Sequence, residues 1–304
     1  MNSDQQKILP WFDPGDKRDY FYVTWNMTRK CNYNCSFCPF HDNKQELRSG
    51  AELDRIARWI VDAIPADSSR TMVTIFGGEP SLYKELPNIV RNLRAMGIHN
   101  VVVYTNLSQE GIRYRALTDM TGVEIMTTWH EQFISAELYL RKLQFIWPDG
   151  NPHVEVRVMD CDPNYHELIN TAKRCGFRTS VGSLHHNRDK QRKPEPTGGI
   201  VDSGKWKNMI DKDDHGFTGW TCLSGCRAVY IEDNGDVFPC QSIAHAGNQG
   251  KMDNSAFFLG NILDRDPIKL GDPMRCPMKR CSLGLPITKY KQEDEHARAT
   301  VHQF

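Results

Sequence analysis

Three thiols lie close together early in the chain, at Cys31, Cys35 and Cys38, in the spacing C-x3-C-x2-C. Thiolates are the usual ligands of iron–sulfur clusters. A loop this short brings several sulfurs to one metal core. Three ligands on a four-iron cubane leave one iron open, and an open coordination position is what a reactive metal site needs. The alternative is a zinc site, but zinc modules usually supply a second close pair of ligands, and none lies nearby. The chain has ten cysteines in all, and five more lie at 222, 226, 240, 276 and 281. In a reducing compartment such clusters point to metal or catalysis rather than to disulfides. Two sulfur groups therefore imply two metal sites.

Other residues able to do chemistry follow predicted strands. Gly77-Gly78-Glu79-Pro80 gives a tight turn ending in a carboxylate, a group suited to an ammonium. Thr105-Asn106 offers a hydroxyl and an amide, either for a ligand or as a simple cap. Arg157, between Val156 and Val158, breaks an otherwise apolar strand; an inward guanidinium would face a ligand, an outward one water. His130 could bind substrate or exchange a proton, although a surface histidine is the commoner explanation. His185-His186 is open to the same two readings. Cys161 and Cys175 read mainly as packing residues, with Cys161 the better placed for function because it follows a strand.

The elements that must position these groups alternate regularly. Strands are expected at 20–26, 71–76, 100–104, 123–129, 153–159 and 177–183. Helices are expected at 51–64, 83–96, 108–119, 135–146 and 165–175, with Ser135 as an N-cap and Gly97 and Gly176 as stops. This alternation predicts an α/β fold with a parallel sheet and right-handed crossovers, either an incomplete (β/α) barrel or an open doubly wound sheet. In both, chemistry gathers at the C-terminal ends of the strands. The loops carrying Cys31–Cys38, Gly77–Glu79 and Thr105-Asn106 should then meet on one face. Residues 186–219, rich in charge, Pro and Gly, read as a linker or mobile loop. Beyond it, Asp233-Asn234-Gly235 between apolar runs predicts a hairpin.

The segment CNYNCSFC resembles the cysteine loop of the radical S-adenosylmethionine (SAM) superfamily, with Phe37 at the aromatic place before the third cysteine. The resemblance implies a partial (β/α)6 barrel over residues 1–185. It implies a [4Fe–4S] cluster on Cys31, Cys35 and Cys38, with the SAM amino and carboxylate groups on the open iron and Phe37 near the adenine. Gly77-Gly78-Glu79 is similar to the family segment that contacts the SAM amino group. Thr105 and Asn106 stand where relatives place polar groups near SAM, and Arg157 would meet the SAM carboxylate or the substrate. Residues 220–304 resemble the SPASM and twitch auxiliary-cluster domains, in which Cys222, Gly235 and Cys240 fit the spacing. Cys276 and Cys281 would complete four ligands for one auxiliary [4Fe–4S] cluster. Cys226 is a fifth sulfur, either a replacement ligand or free. A structural zinc site is the alternative there.

Three functions stay open. One is an oxidoreductase that passes an electron to the auxiliary cluster. The second is a redox-neutral epimerase or rearrangement enzyme with Cys226 or Cys161 as hydrogen donor; Cys226 would face the barrel mouth if its segment is helical. The third is a non-enzymatic metal module. The substrate would be a sugar-like small molecule or a peptide, and the electron donor a flavodoxin or ferredoxin. Lys and Arg total 38, and Asp and Glu also total 38, which argues against broad nucleic-acid or membrane-surface binding. No apolar run approaches the roughly 20 residues of a membrane span, and a cytoplasmic protein is expected.

Overall fold

The computed structural model describes residues 20–36, 38, 46–66, 70–159, 165–182, 218–248, 250–264, 268–278 and 289–290. Phe37, Cys161, His185-His186, Cys281 and nearly all of the expected linker lie outside the described residues. Strand and helix alternate through β1 (Tyr20–Thr28), α1 (Gly50–Asp62), β2 (Arg70–Gly77), α2 (Leu86–Ala95), β3 (Asn100–Thr105), α3 (Gly111–Thr118), β4 (Val123–Thr128), α4 (Ala136–Ile146), β5 (Val154–Met159), α5 (Tyr165–Arg174) and β6 (Arg178–Gly182). β1 to β6 pair in sequence order, each parallel to the next. Each expected strand and helix is present.

Alternation along the strands explains the layering. Phe21, Val23, Trp25 and Met27 of β1 share a core with Val73, Ile75, Val101, Val103 and the buried stripe Leu53, Ile56, Ala57 and Ile60 of α1. That face of the sheet is covered by helices. The other face carries Tyr20, Tyr22, Met72, Val102 and Met126 in a separate apolar group. Period-two strands under amphipathic helices can bury only one face this way. The second face becomes the concave interior of an incomplete barrel.

The C-terminal part adds β7 (Thr221–Cys222), β8 (Ala228–Ile231), β9 (Asp236–Phe238), α6 (Gln241–Asn248), β10 (Gly260–Asn261), β11 (Met274–Arg275) and β12 (Lys289–Tyr290). β8 and β9 form the expected hairpin, turned at Gly235 with φ +90°. Sequence pattern alone did not place this hairpin. β8 lies on the free edge of β1 and runs parallel to it, with Tyr22 opposite Ala228 and Trp25 opposite Ile231. Among the described residues the main sheet thus has nine strands, in the order β10-β9-β8-β1-β2-β3-β4-β5-β6. β7 pairs separately with β11 and β12.

Candidate active site

The cysteine loop leaves β1 at its C-terminal end and is held against the ends of β2 and β3. Gly78 N–H donates to the Thr28 carbonyl at 2.6 Å, and Glu79 N–H donates to the Lys30 carbonyl at 2.9 Å. A Cβ on Gly77 would lie 2.2 Å from the Thr28 carbonyl oxygen, and one on Gly78 would lie 2.2 Å from that of Lys30. Gly77 also has φ +144°, a conformation that favours glycine. The glycine pair lets the second loop press against the backbone of the cysteine loop.

Glu79 ties in the third loop. Its side chain is fully buried. One carboxylate oxygen accepts from Ser81 N–H at 2.9 Å, from the Ser81 hydroxyl, and from the Thr105 hydroxyl at 2.8 Å. The other accepts from Asn106 N–H at 2.6 Å. Burial pushes the carboxyl up from its ordinary pKa, and these hydrogen bonds oppose that shift. The expected contact between this carboxylate and the SAM ammonium is not what the geometry provides. The carboxylate is closed off and occupied by its own chain, because four donors of two loops converge on it. Asn106, held in this way, reaches back to the cysteine loop. Its amide donates to Asn32 Oδ1 at 3.0 Å and to Cys31 Sγ at 3.9 Å. The loops after β1, β2 and β3 therefore do meet on one face.

Of the three thiols Cys35 is buried, and Cys31 and Cys38 are half-buried. Burial pushes the Cys31 thiol up to about 11, with the charges of Glu79 and Cys38 adding to it. Burial, then Cys38 and Cys31, push Cys35 up to about 12. As free thiols Cys31 and Cys35 hold their protons, and metal binding must displace them. Tyr33 N–H donates to Cys31 Sγ at 3.3 Å, and His130 Nδ1 lies 3.3 Å from Cys35 Sγ. Among the described residues no three His, Cys, Asp or Glu side chains converge on a single metal ion. A cubane asks for one thiolate per iron, and three neighbouring cysteines, two of them with a nitrogen within hydrogen-bond reach of sulfur, fit that demand. Beside Gly77, Asn26 Oδ1 is a buried acceptor with no hydrogen-bond partner. Its amide nitrogen donates to Glu232 at 3.0 Å, which fixes the orientation. An acceptor left open at this place fits a ligand that brings a donor.

His130 follows β4 as expected, but its Nδ1 is turned to Cys35 rather than to the barrel interior. Burial lowers its pKa to about 4, so the imidazole is neutral. Arg157 points inward, as the broken apolar run suggested. It donates to Met126 Sδ at 3.3 Å and lies beside Tyr104. Around it on the same face, Ser180 donates to Glu155, and Arg178 pairs with Glu124 at 2.6 Å.

Cys226 requires a correction. Its segment is a turn, not a helix: both Cys226 N–H and Arg227 N–H donate to the Leu223 carbonyl, and Tyr22 N–H donates to the Arg227 carbonyl. This sets Cys226 at the N-terminal end of β1. Ala228 pairs with Tyr22, and six strand steps, about 20 Å at 3.3 Å each, separate that level from Thr28 at the mouth. Cys226 does not face the mouth. It lies instead beside Cys222, whose charge adds to the burial that lifts the Cys226 thiol to about 11. Gly225 packs against Pro239, next to Cys240. Cys276 packs with Cys222 and Trp220, its N–H donating to the Trp220 carbonyl at 2.8 Å. The described C-terminal sulfurs, Cys222, Cys226, Cys240 and Cys276, lie toward the base of the sheet.

Sequence reasoning missed the link between mouth and hairpin tip. Arg29, two residues before Cys31, pairs with Glu232 at 3.2 Å and Asp233 at 2.9 Å. Arg48 reaches the Asp233 carbonyl and Glu52. Two acids before Asn234-Gly235 were the available signal, but their basic partners lie far away in sequence. It also missed Tyr114, whose buried hydroxyl meets Ser81 at 3.0 Å and accepts from Gln109 N–H at 3.0 Å.

Comparison with known proteins agrees with this geometry. The model of the radical SAM superfamily matches residues 25–190, more than half of the chain. A probable GTP 3′,8-cyclase of Metallosphaera sedula is 30% identical over 120 residues, 33% of this chain and 37% of that protein. A 7,8-dihydro-6-hydroxymethylpterin dimethyltransferase of Methanocaldococcus jannaschii is 23% identical over 168 residues, 55% of this chain and 30% of that protein. The matched stretch is thus about a third of each curated relative. Among solved structures, SuiB of Streptococcus suis bound to its precursor peptide SuiA superposes with a TM-score of 0.53 and 15% identity. That match covers 74% of this chain and 60% of SuiB. The anSMEcpe structure with bound SAM gives a TM-score of 0.51 and 13% identity, covering 81% and 78%. These two likenesses speak to the fold.

Proposed function

The chain belongs to the radical SAM superfamily, whose members bind a [4Fe–4S] cluster and SAM, and we propose that it oxidises a polar substrate by hydrogen abstraction, with a second cluster as electron acceptor. Cys31, Cys35 and Cys38 would hold the first cluster. A cluster held there would supply single-electron chemistry for the reductive cleavage of SAM to methionine and a 5′-deoxyadenosyl radical. The backbone at Gly77–Glu79 and the free oxygen of Asn26 would take the SAM ammonium, while Glu79 fixes Thr105 and Asn106 beside it. Arg157 would take a carboxylate of SAM or substrate.

The observation that carries the oxidative reading is the position of Cys226. It takes one of the two candidate thiol donors away from the mouth, the other, Cys161, lying outside the described residues, and sets Cys226 beside Cys222 at the end of the sheet where Cys240 and Cys276 also lie. These four would hold the auxiliary cluster at the base, in place of a set that includes Cys281. The substrate would lie on the concave face between the two sulfur groups, among Tyr104, Glu155, Arg157 and Ser180. After losing a hydrogen atom, the substrate radical would give its second electron to the auxiliary site and a proton to solvent.

The mixed charge of that face suits a polar small molecule or a peptide. SuiB is bound to a precursor peptide, which supports keeping a peptide among the substrates. The stretch shared with GTP 3′,8-cyclases is too short a part of those proteins to carry their substrate over. A flavodoxin or ferredoxin would deliver the electron.

The test is anaerobic incubation of reconstituted protein with dithionite, SAM and candidate substrates. Formation of 5′-deoxyadenosine and a product lighter by two hydrogens is expected. A product of unchanged mass, or one carrying a single solvent deuterium, would instead establish a redox-neutral reaction.

A further inference from the structure

We infer that His130 is a positioning residue for the cluster, donating a hydrogen bond from Nδ1 to the Cys35 thiolate and thereby raising the cluster's reduction potential. The inference rests on Cys35 being a cluster ligand, as proposed above. Its geometric basis is the 3.3 Å approach of Nδ1 to Cys35 Sγ. A cluster-bound thiolate has lost its proton and can only accept, so the imidazole must be the donor. This holds whether the ring carries one proton or two.

The ring is held in place by its surroundings. The His130 carbonyl accepts from Phe133 N–H at 3.0 Å and Ile134 N–H at 3.2 Å, and the Trp129 indole N–H donates to the Ile134 carbonyl at 2.9 Å. Tyr33 meets the imidazole edge-on at 5.7 Å and stacks on Phe133 at 4.3 Å. Gln132 bonds Ser36 twice, accepting from its N–H at 3.2 Å and donating to its hydroxyl at 2.8 Å. The two loops are therefore joined by contacts independent of the His130–Cys35 pair, and a change at His130 need not part them.

The chemical consequence follows from charge. One-electron reduction makes the cluster and its thiolates more negative. A donor aimed at a ligand sulfur stabilises the reduced state more than the oxidised one, the more so where water is excluded. Cys35 is 5% exposed. Among the described residues, Cys31 receives a backbone N–H, which no side-chain substitution removes, and the long 3.9 Å approach of Asn106. Among the described residues His130 is a replaceable side chain in close contact with a ligand sulfur.

The experiment compares wild type, His130→Phe and His130→Asn, each reconstituted with iron and sulfide. Asn can place an amide N–H near the position of Nδ1, whereas Phe fills the space without a donor. Iron content is measured first. The midpoint potential is then read by EPR-monitored titration, on the signal that is absent from the Cys31/Cys35/Cys38→Ala variant. His130→Phe is expected to be roughly tenfold harder to reduce at a given potential, about 59 mV for a one-electron couple. His130→Asn should recover most of that shift. An unchanged midpoint in His130→Phe, or an equal fall in both variants, overturns the proposal. If His130→Phe takes up no iron, pulsed EPR of the reduced wild-type protein labelled with 15N-histidine decides instead. A histidine nitrogen coupling is expected, and its absence overturns the role. Loss of no iron in the triple cysteine variant would instead refute the ligand assignment itself, a separately visible failure.

Discussion

At the mouth of the barrel three sulfurs come from one short loop, Cys31 to Cys38, whereas at the base the described sulfurs run from Cys222 to Cys276. The mouth group is local: its spacing puts the three thiols on one short loop, where Tyr33 N–H donates to Cys31 and His130 Nδ1, from the loop after β4, lies 3.3 Å from Cys35. The base group is assembled over distance. A turn after β7, the return of the β8–β9 hairpin and the pairing of β7 with β11 each contribute a cysteine. Closing a longer loop costs more entropy, so the base depends on strand pairing in a way the mouth does not. The two are joined by Arg29 with Glu232 and Asp233, where a partly exposed guanidinium meets two buried carboxylates. A site that must be reactive is written locally, and one that must be placed relative to it is written through the fold.

The largest effect expected is at the mouth. Replacing Cys31, Cys35 and Cys38 together by Ala should remove about half of roughly eight irons per chain and all SAM cleavage, measured as iron content and 5′-deoxyadenosine. Survival of SAM cleavage would break the comparison at its first limb.

Cys226→Ala tests the other limb. Because Cys226 lies with Cys222 at the base, auxiliary iron should fall while SAM cleavage in the absence of substrate persists. Retained iron with stalled turnover would return Cys226 to the role of hydrogen donor, against its position in the sheet.

Glu79→Ala should act through the loops rather than through lost charge on SAM. It strips four donors, the Ser81 N–H and hydroxyl, the Thr105 hydroxyl and the Asn106 N–H, of their buried acceptor, and of these the Ser81 hydroxyl keeps Tyr114. At about 1–3 kcal/mol for each unpaired group, stability should fall by at least about 3 kcal/mol. SAM binding should weaken as Asn106 moves, with Cys-bound iron retained. Calorimetric unfolding and SAM titration measure the two effects; an unchanged unfolding temperature would show that the clamp is not structural.

The smallest effect is expected where α1 begins. Ser49 and Glu52 form a capping box, and Ser49 first, then Arg48, holds the Glu52 carboxyl below its usual pKa. Its folded value is depressed, so the stabilisation is present above the ordinary 4.5 and is lost as pH falls through the lower folded value. Glu52→Gln should therefore flatten a small part of the stability profile below about pH 4.5. Arg48 also holds Asp233, so the tie from α1 to the hairpin should loosen in the same window. Unfolding scans across that range, wild type against variant, measure it.

What was legible in the sequence was what short-range physics controls. Alternation within β1–β6 and the buried stripe of α1 fixed the layers, Ser135 capped α4, and Asn234-Gly235 turned the hairpin. The spacing of Cys31, Cys35 and Cys38 likewise announced the mouth. Three-dimensional placement decided the rest. The hairpin lies parallel to β1 because β1 had a free edge, and no residue within the hairpin encodes which edge it will meet. That choice puts Cys226 at the base and Glu232 beside Arg29. Glu79 looked like a ligand's partner until four donors from two loops closed around it, and His130, open to a surface or a substrate reading, has its ring beside Cys35. Periodicity records the face on which a side chain emerges, whereas the identity of its neighbour is set by strand order and loop closure, which join residues far apart in the chain.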